Sequence, residues 1–339
     1  RPSQREMTRA VQHAFRTKRH LAVQGPTGVG KSLAYLLAAI ASTGPDQRTM
    51  VVTSSRALQD QLARVDLPFL ASTLQRRFSY AVLKGRSNYL CAAALDEVRV
   101  QLRRGEHQSS LDLDTSTAEV VGVDLSDGAL RGEVEMLLDW SEHTDQGDVA
   151  ELDETPSQRA WSSVSVGPGE CVGAANCAFA SECWSEQARE RAEAADLVIV
   201  NAHLYGAHVQ TGRTLLPEHN RLVIDEAHEF EDSIVGSLSI EMTEGRVANL
   251  ARVHERCIAD EAKVSTSLRS AGQMLEALLT AMTADMEGST QQLRLRGGIG
   301  KELSAVLSTV ASAADRALNS LRRAAKLAGE SSARHRIDR

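Results

Sequence analysis

At 339 residues with 42% apolar side chains, the chain is long enough for about two domains with their own cores. Aromatics make up only 4%, so those cores must rest on Leu, Val, Ile and Ala. The net charge of −7 excludes a uniformly basic nucleic-acid binder, and no apolar run approaches the roughly 20 residues of a membrane helix. The acid is concentrated: residues 108–170 hold 15 Asp and Glu against two Arg, which leaves a modestly basic remainder. The chain opens on Arg1 without an apolar leader, as expected of a segment from inside a longer cytoplasmic protein (nucleoid-associated if bacterial). Its five cysteines, an odd number without a secretion signal, point to metal or thiol chemistry rather than disulfides.

In chain order, residues 20–24 read as a short strand, followed by a Gly-rich turn and an Ala/Leu-rich helix over 32–41. A second strand is expected at 49–53, a helix at 57–65 and a third short strand at 81–83. Residues 105–165 break the rhythm: acidic, rich in Ser, Thr and Gly, they read as a partly disordered insertion with a helix at 132–140. Two more apolar runs of strand length follow at 196–200 and 221–224. Strands alternating with helices predict a parallel, doubly wound α/β sheet. From about 245 to 327 the apolar spacing is helical; Leu250, Val253, His254, Cys257 and Ile258 are one such stripe. Cys257 there reads as a core thiol.

Residues 25–32, Gly-Pro-Thr-Gly-Val-Gly-Lys-Ser, fit the phosphate-binding loop GxxxxGK[ST]. Gly25, Thr27, Gly28 and Gly30 would wrap main-chain N–H groups around a phosphate, and the following helix would point its positive end at the same anion. Lys31 would reach the β and γ phosphates, and the Ser32 hydroxyl would ligate Mg²⁺. The run Arg-Leu-Val-Ile-Asp225-Glu226-Ala-His228 delivers two carboxylates at a strand end. Asp225 would hold Mg²⁺ through water and Glu226 would activate the attacking water. A chance glycine turn and a solvated acidic strand end are the bland alternatives to these two motifs; each loses weight beside the other.

These residues also carry a resemblance. Asp225-Glu-Ala-His228 is a DEAH box, similar to that of superfamily 2 helicases, which marks Lys31, Asp225, Glu226 and His228 as the catalytic set. Residues 1–7, with Gln4, resemble the adenine-reading Q motif of that group, and residues 51–62 resemble its motif Ia, where Thr53, Ser54 and Arg56 would bind DNA phosphates. Lys84-Gly-Arg-Ser-Asn-Tyr-Leu-Cys91, followed by Cys171, Cys177 and Cys183, resembles the iron–sulfur helicases of the DinG/XPD kind. The long interval from Cys91 to Cys171 suits the DinG branch. Spacing alone leaves iron and zinc open; the resemblance implies a 4Fe–4S cluster on the four thiolates. Arg86 and Tyr89 are then candidates to touch the strand, with local packing as their alternative.

The resemblance implies this organisation: a RecA-like motor domain in two parts, 1–84 and 191–232; an iron–sulfur domain, 85–190; and an incomplete arch-like helical domain, 233–339. It implies an ATP-dependent DNA helicase moving 5′ to 3′ on single-stranded or forked DNA, a monomer using ATP, Mg²⁺ and the cluster. No Ser-Ala-Thr motif and no second motor domain follow within the sequence, so the isolated chain is expected to hydrolyse ATP very poorly. The strand at 196–200 runs into Asn201-Ala-His203-Leu, which departs from the family's Asn-His-Leu by the inserted Ala202. Two other readings stand beside the helicase: a P-loop ATPase with a structural zinc site, and a non-enzymatic module that binds single strands or a protein.

Overall fold

The computed structural model describes residues 2–26, 28–44, 47–108, 127–238, 242–284, 295 and 298–327. The chain divides into two compact units: residues 1–99, 125–168 and 173–239 form the first, and 100–124, 169–172 and 240–339 the second.

The first unit is built on a four-stranded parallel sheet of order β2-β3-β1-β4, with β1 at Thr49–Thr53, β2 at Tyr80–Val82, β3 at Leu197–Asn201 and β4 at Arg221–Ile224. Its central strands are continuous apolar runs because helices cover both faces. Side chains alternate between those faces. Val51, Leu197 and Ile199 pack on helix α2 (Lys31–Ala41) through Tyr35, Leu36, Ala39 and Ile40. Met50, Val52, Val198 and Val200 meet the other layer, with Ala188 and Ala192 of α8 (Trp184–Glu193) and Ala202 of α9 (Ala202–Gln210). Helix α1 (Pro2–Thr17) packs beside α2. Helix α3 (Arg56–Gln61) passes through a π-helical turn at Leu62–Asp66 into α4 (Leu67–Thr73), so the single helix expected at 57–65 is a longer, irregular one. The α3 start is capped by Ser55, whose hydroxyl accepts from the Leu58 N–H at 3.2 Å.

Two expectations need correction. Residues 20–24 pair with no strand among the described residues, and Leu21 and Val23 stand 46% and 44% exposed. The open edges of the sheet are those of β2 and β4, and the run joins neither. The insertion is more ordered than its composition suggests. Beyond α5 (Ala92–Gln108), its residues 127–165 hold α6 (Gly128–Ser141) and α7 (Gln158–Val164), which bury Leu130, Val134, Leu137, Ala160 and Val164. Residues 109–126 lie outside the described residues. At the Asn201-Ala202-His203 stretch, Asn201 caps α9 by accepting from the Leu204 N–H at 2.8 Å, and Ala202 is fully buried behind it while His203 is exposed.

The second unit is helical, as the 3.6-residue spacing predicts. Helices α11 (Glu244–Cys257), α12 (Ala262–Thr283) and α13 (Lys301–Leu327) pack around Ala251, Leu268, Ala271, Leu275, Val310 and Ala317. Cys257, at the end of α11, is half-buried. No helix among the described residues is long and apolar enough to cross a membrane. Helix α10 (Ala227–Leu238) belongs to the first unit and leads away from β4.

Candidate nucleotide site

The phosphate loop and the acidic strand end meet at the C-terminal edge of the sheet, where open α/β sheets place their ligands. Gly28 and Gly30 have φ of +78° and +88°, a backbone that side-chain-bearing residues rarely adopt. Gly30 is the N-cap of α2, and its carbonyl accepts from the Ala34 N–H at 3.1 Å. The same carbonyl accepts from Nε2 of Gln4 on α1 at 3.3 Å, so the candidate Q-motif glutamine lies against the phosphate loop. Gly25 lies near the stem of Lys31. Thr27 falls outside the described residues.

Strand β4 carries Asp225 and Glu226 to this loop. The Asp225 N–H donates to the Val52 carbonyl at 2.9 Å, which extends the β1–β4 ladder to the site itself. The chain then turns sharply: Glu226 adopts φ of +50°, an uncommon backbone for a residue with a side chain. That turn sends Glu226 toward Lys31, whose Nζ donates to Glu226 Oε1 at 2.9 Å although 195 positions separate them. His228 lies 3.5 Å from the other Glu226 oxygen through Nδ1 and is 72% exposed on its side chain.

Asp225 is only 8% exposed. Its Oδ1 accepts from the Glu226 N–H and its Oδ2 from the Tyr35 hydroxyl, both at 2.9 Å. Tyr35 is 3% exposed. Burial first, and then the Asp225 carboxylate beside it, push the Tyr35 phenol well above its usual range. Ser32 and Asp225 are hard oxygen donors of the kind Mg²⁺ selects, and Asp225 is held by the hydroxyl of Tyr35, three residues after Ser32 on α2. Nothing in the sequence motifs singles out Tyr35; the available signal is its position three residues after Ser32, on the same helical face.

The remaining candidates are placed differently. Thr53 is fully buried, and its hydroxyl donates to the Ser55 carbonyl at 3.1 Å. Ser54 is half-buried beside it, at the sheet edge, and the Arg56 side chain lies outside the described residues. Arg86 donates to Glu186 of α8 at 2.5 Å. Tyr89 is 3% exposed and its hydroxyl accepts from the Lys84 N–H at 3.0 Å, with burial pushing the phenol upward. Their segment is knitted to the insertion. The Leu90 N–H donates to the Gly147 carbonyl at 2.9 Å, the Cys91 N–H to the Val164 carbonyl at 2.8 Å and Trp161 Nε1 to the Ser87 carbonyl at 2.7 Å. Lys84, which sequence reasoning passed over, has a side chain only 3% exposed and pairs with Asp60 of α3 and Asp148 of the insertion, each at 2.7 Å.

Cys177 and Cys183 flank a short 3-10 turn at Ala180–Glu182, and Cys183 is the N-cap residue of α8. Among the described residues, no three His, Cys, Asp or Glu side chains are grouped so as to hold a metal ion. Cys91, Cys177 and Cys183 belong to the first unit and Cys171 to the second.

A parallel sheet with a glycine loop on a helix N-terminus, facing an Asp-Glu pair at a strand end, defines a P-loop nucleotide-binding domain. Residues 1–113 match the family model described as DEAD/DEAH box helicase. The chain is 40% identical over 276 residues to the ATP-dependent helicase DinG of Mycobacterium tuberculosis (strain H37Rv), covering 80% of this chain and 40% of that protein. It is 34% identical over 237 residues to the ATP-dependent DNA helicase YoaA of Escherichia coli (strain K12), covering 68% of this chain and 33% of that protein. A solved structure described as an XPD helicase superposes with a TM-score of 0.47 at 12% identity, over 94% of this chain and 47% of that one. The chain belongs to the DEAD/DEAH box helicases, in the group named DinG and YoaA, and spans 40% or less of the length of those relatives.

Proposed function

We propose that the chain is the nucleotide-gripping part of an ATP-dependent DNA helicase. The observation that carries this reading is the meeting of Lys31 with Glu226, and of Tyr35 with Asp225, across 195 and 190 positions of sequence. A loop that folds around phosphate and a strand that brings two carboxylates to the same point suit hydrolysis of a nucleoside triphosphate. Mg²⁺, held by Ser32 and through water by Asp225, would neutralise charge on the phosphates. Lys31 would exchange its bond to Glu226 for one to the γ-phosphate. Glu226 would then be released to orient the attacking water and accept its proton. His228, beside Glu226, would carry the state of that carboxylate to the exposed surface. Gln4, already against the loop, would sense whether the base is adenine.

Single-stranded DNA is the partner on this reading, with 5′ to 3′ movement carried over from the family resemblance. Ser54 and Arg56, at the C-terminal end of β1, are the proposed phosphate contacts. Arg86 and Tyr89 are assigned to holding the insertion in place instead. The cluster on Cys91, Cys171, Cys177 and Cys183 is likewise proposed from the family resemblance and contributes no step to the hydrolysis above.

Two measurements on anaerobically purified protein test the reading. Binding of a fluorescent ATP analogue should depend on Mg²⁺ and be lost in Lys31→Ala; binding unchanged by that substitution sinks the nucleotide site. Iron and sulfide should each approach about four per chain and fall away in Cys177→Ser. Stoichiometric zinc without iron removes the cluster and leaves a P-loop ATPase with a zinc site.

A further inference from the structure

We propose that the Tyr35 hydroxyl is a positioning group for the Mg²⁺ site, holding Asp225 in the orientation that the ion requires. This rests on the nucleotide-site reading above and assigns a role to a residue that lies outside the phosphate-loop and DEAH motifs. Three features of the geometry point to it.

First, the Tyr35 hydroxyl is a direct partner of the proposed metal-site carboxylate, donating to Asp225 Oδ2 at 2.9 Å. An ionised carboxylate only accepts, so the phenol proton is committed to Asp225. Second, Asp225 is held at both oxygens, by Tyr35 on one and by the Glu226 N–H at 2.9 Å on the other. The carboxylate therefore cannot rotate without breaking a bond in a site where it is only 8% exposed. Third, Tyr35 itself has no freedom: it is 3% exposed on α2 and packed in the same cluster as Leu36, Ile40 and Val51. A rigid phenol on a buried helix is a better fixed point than a loop residue.

Partners of this kind, which orient the groups that hold a metal, commonly contribute 10- to 100-fold in metal affinity. The test is Tyr35→Phe, which removes one oxygen and keeps the ring. Mg²⁺ is titrated at saturating fluorescent ATP analogue, and nucleotide affinity is measured separately in EDTA. The expected result is about a tenfold or greater weakening of Mg²⁺ with Mg²⁺-free nucleotide affinity within about twofold of wild type. Unchanged Mg²⁺ affinity overturns the proposal. Equal weakening of both affinities also overturns it, because a merely structural role predicts that pattern. Wild-type protein that binds nucleotide without any Mg²⁺ dependence instead removes the underlying site reading, so the two failures are distinguishable.

A second measurement needs no variant and covers the case in which Tyr35→Phe does not fold. Wild-type protein carrying ring-deuterated tyrosine is loaded with Mn²⁺ and ATP analogue, and pulsed electron paramagnetic resonance reads deuterium near the ion. Deuterium modulation is expected from Tyr35, and its absence places the phenol away from the metal and overturns the proposal.

Discussion

Replacing Gly30 with Ala separates backbone strain from steric crowding at the phosphate loop. Gly30 has φ of +88°, and a methyl group there would come 2.7 Å from Nε2 of Gln4 and 3.3 Å from its Cδ. The crowding looks severe but is cheap, because the colliding atoms are the far end of a flexible side chain. Swinging Gln4 aside forfeits its bond to the Gly30 carbonyl, on the order of 1 kcal/mol. The left-handed backbone costs an alanine about 1–2 kcal/mol and has no such escape. The backbone effect therefore wins, and relief comes only if the loop leaves its phosphate-wrapping shape. At about 1.4 kcal/mol per decade, a total near 2–3 kcal/mol weakens nucleotide about 30- to 100-fold. Titration of a fluorescent ATP analogue into Gly30→Ala, Gln4→Ala and the double variant is the assay. Gly30→Ala should show the large loss and Gln4→Ala a loss of several-fold, with no recovery in the double variant. Recovery of wild-type affinity in Gly30→Ala on removing Gln4 would show that crowding, not the backbone, sets the requirement for glycine.

Two further outcomes follow from buried charge. Lys84→Ala strips the cation from between Asp60 and Asp148, leaving two carboxylates facing one cavity where the lysine side chain was 3% exposed. Breaking such a pair costs roughly 3 kcal/mol, so the denaturant midpoint of the first unit should fall clearly; an unchanged midpoint shows that the carboxylates are solvated without the lysine. In the helical unit, burial holds fully buried His254 below its ordinary value of 6.5, with Glu261 and Glu255 offsetting part of the shift. The unfolded chain therefore takes up this proton at a higher pH than the folded one. The stability contribution is full above about pH 6.5 and is lost as pH falls toward the folded value. Melting followed from pH 7.5 to 5.5 should show the decline in wild type and a shallower one in His254→Gln; parallel curves exclude His254 as the cause.

Much of the nucleotide site was legible because its chemistry is local. The loop at 25–32 must bend through left-handed glycines, and β1 and β4 are apolar runs bounded by polar residues, so the expected and observed bounds of both strands agree. What the sequence concealed was long-range. Residues 20–24 look like a strand by composition, yet pairing is set by the tertiary fold, and the run joins neither open edge of the sheet, β2 or β4. The acidic insertion looked loose because its charge masks a sparse apolar stripe of Leu130, Val134 and Leu137 that closes a small core. Tyr89 reads equally as a contact to the strand or as local packing; only the fold shows its hydroxyl turned inward to the Lys84 N–H. Tyr35 reads as one more apolar residue of α2, and its role appears when β4 arrives from 190 positions away.

The central claim is that Glu226, bonded to Lys31 at 2.9 Å, is the group that activates water for hydrolysis driven by single-stranded DNA. Glu226→Gln keeps the shape and a hydrogen-bonding side chain but removes the base, so the direct measurement is ATP turnover by the full-length protein with and without single-stranded DNA. The account predicts DNA-stimulated turnover in wild type, a fall of roughly 100-fold or more in Glu226→Gln, and ATP binding retained in both. Turnover in Glu226→Gln within a few-fold of wild type, or wild-type turnover indifferent to DNA, would contradict it.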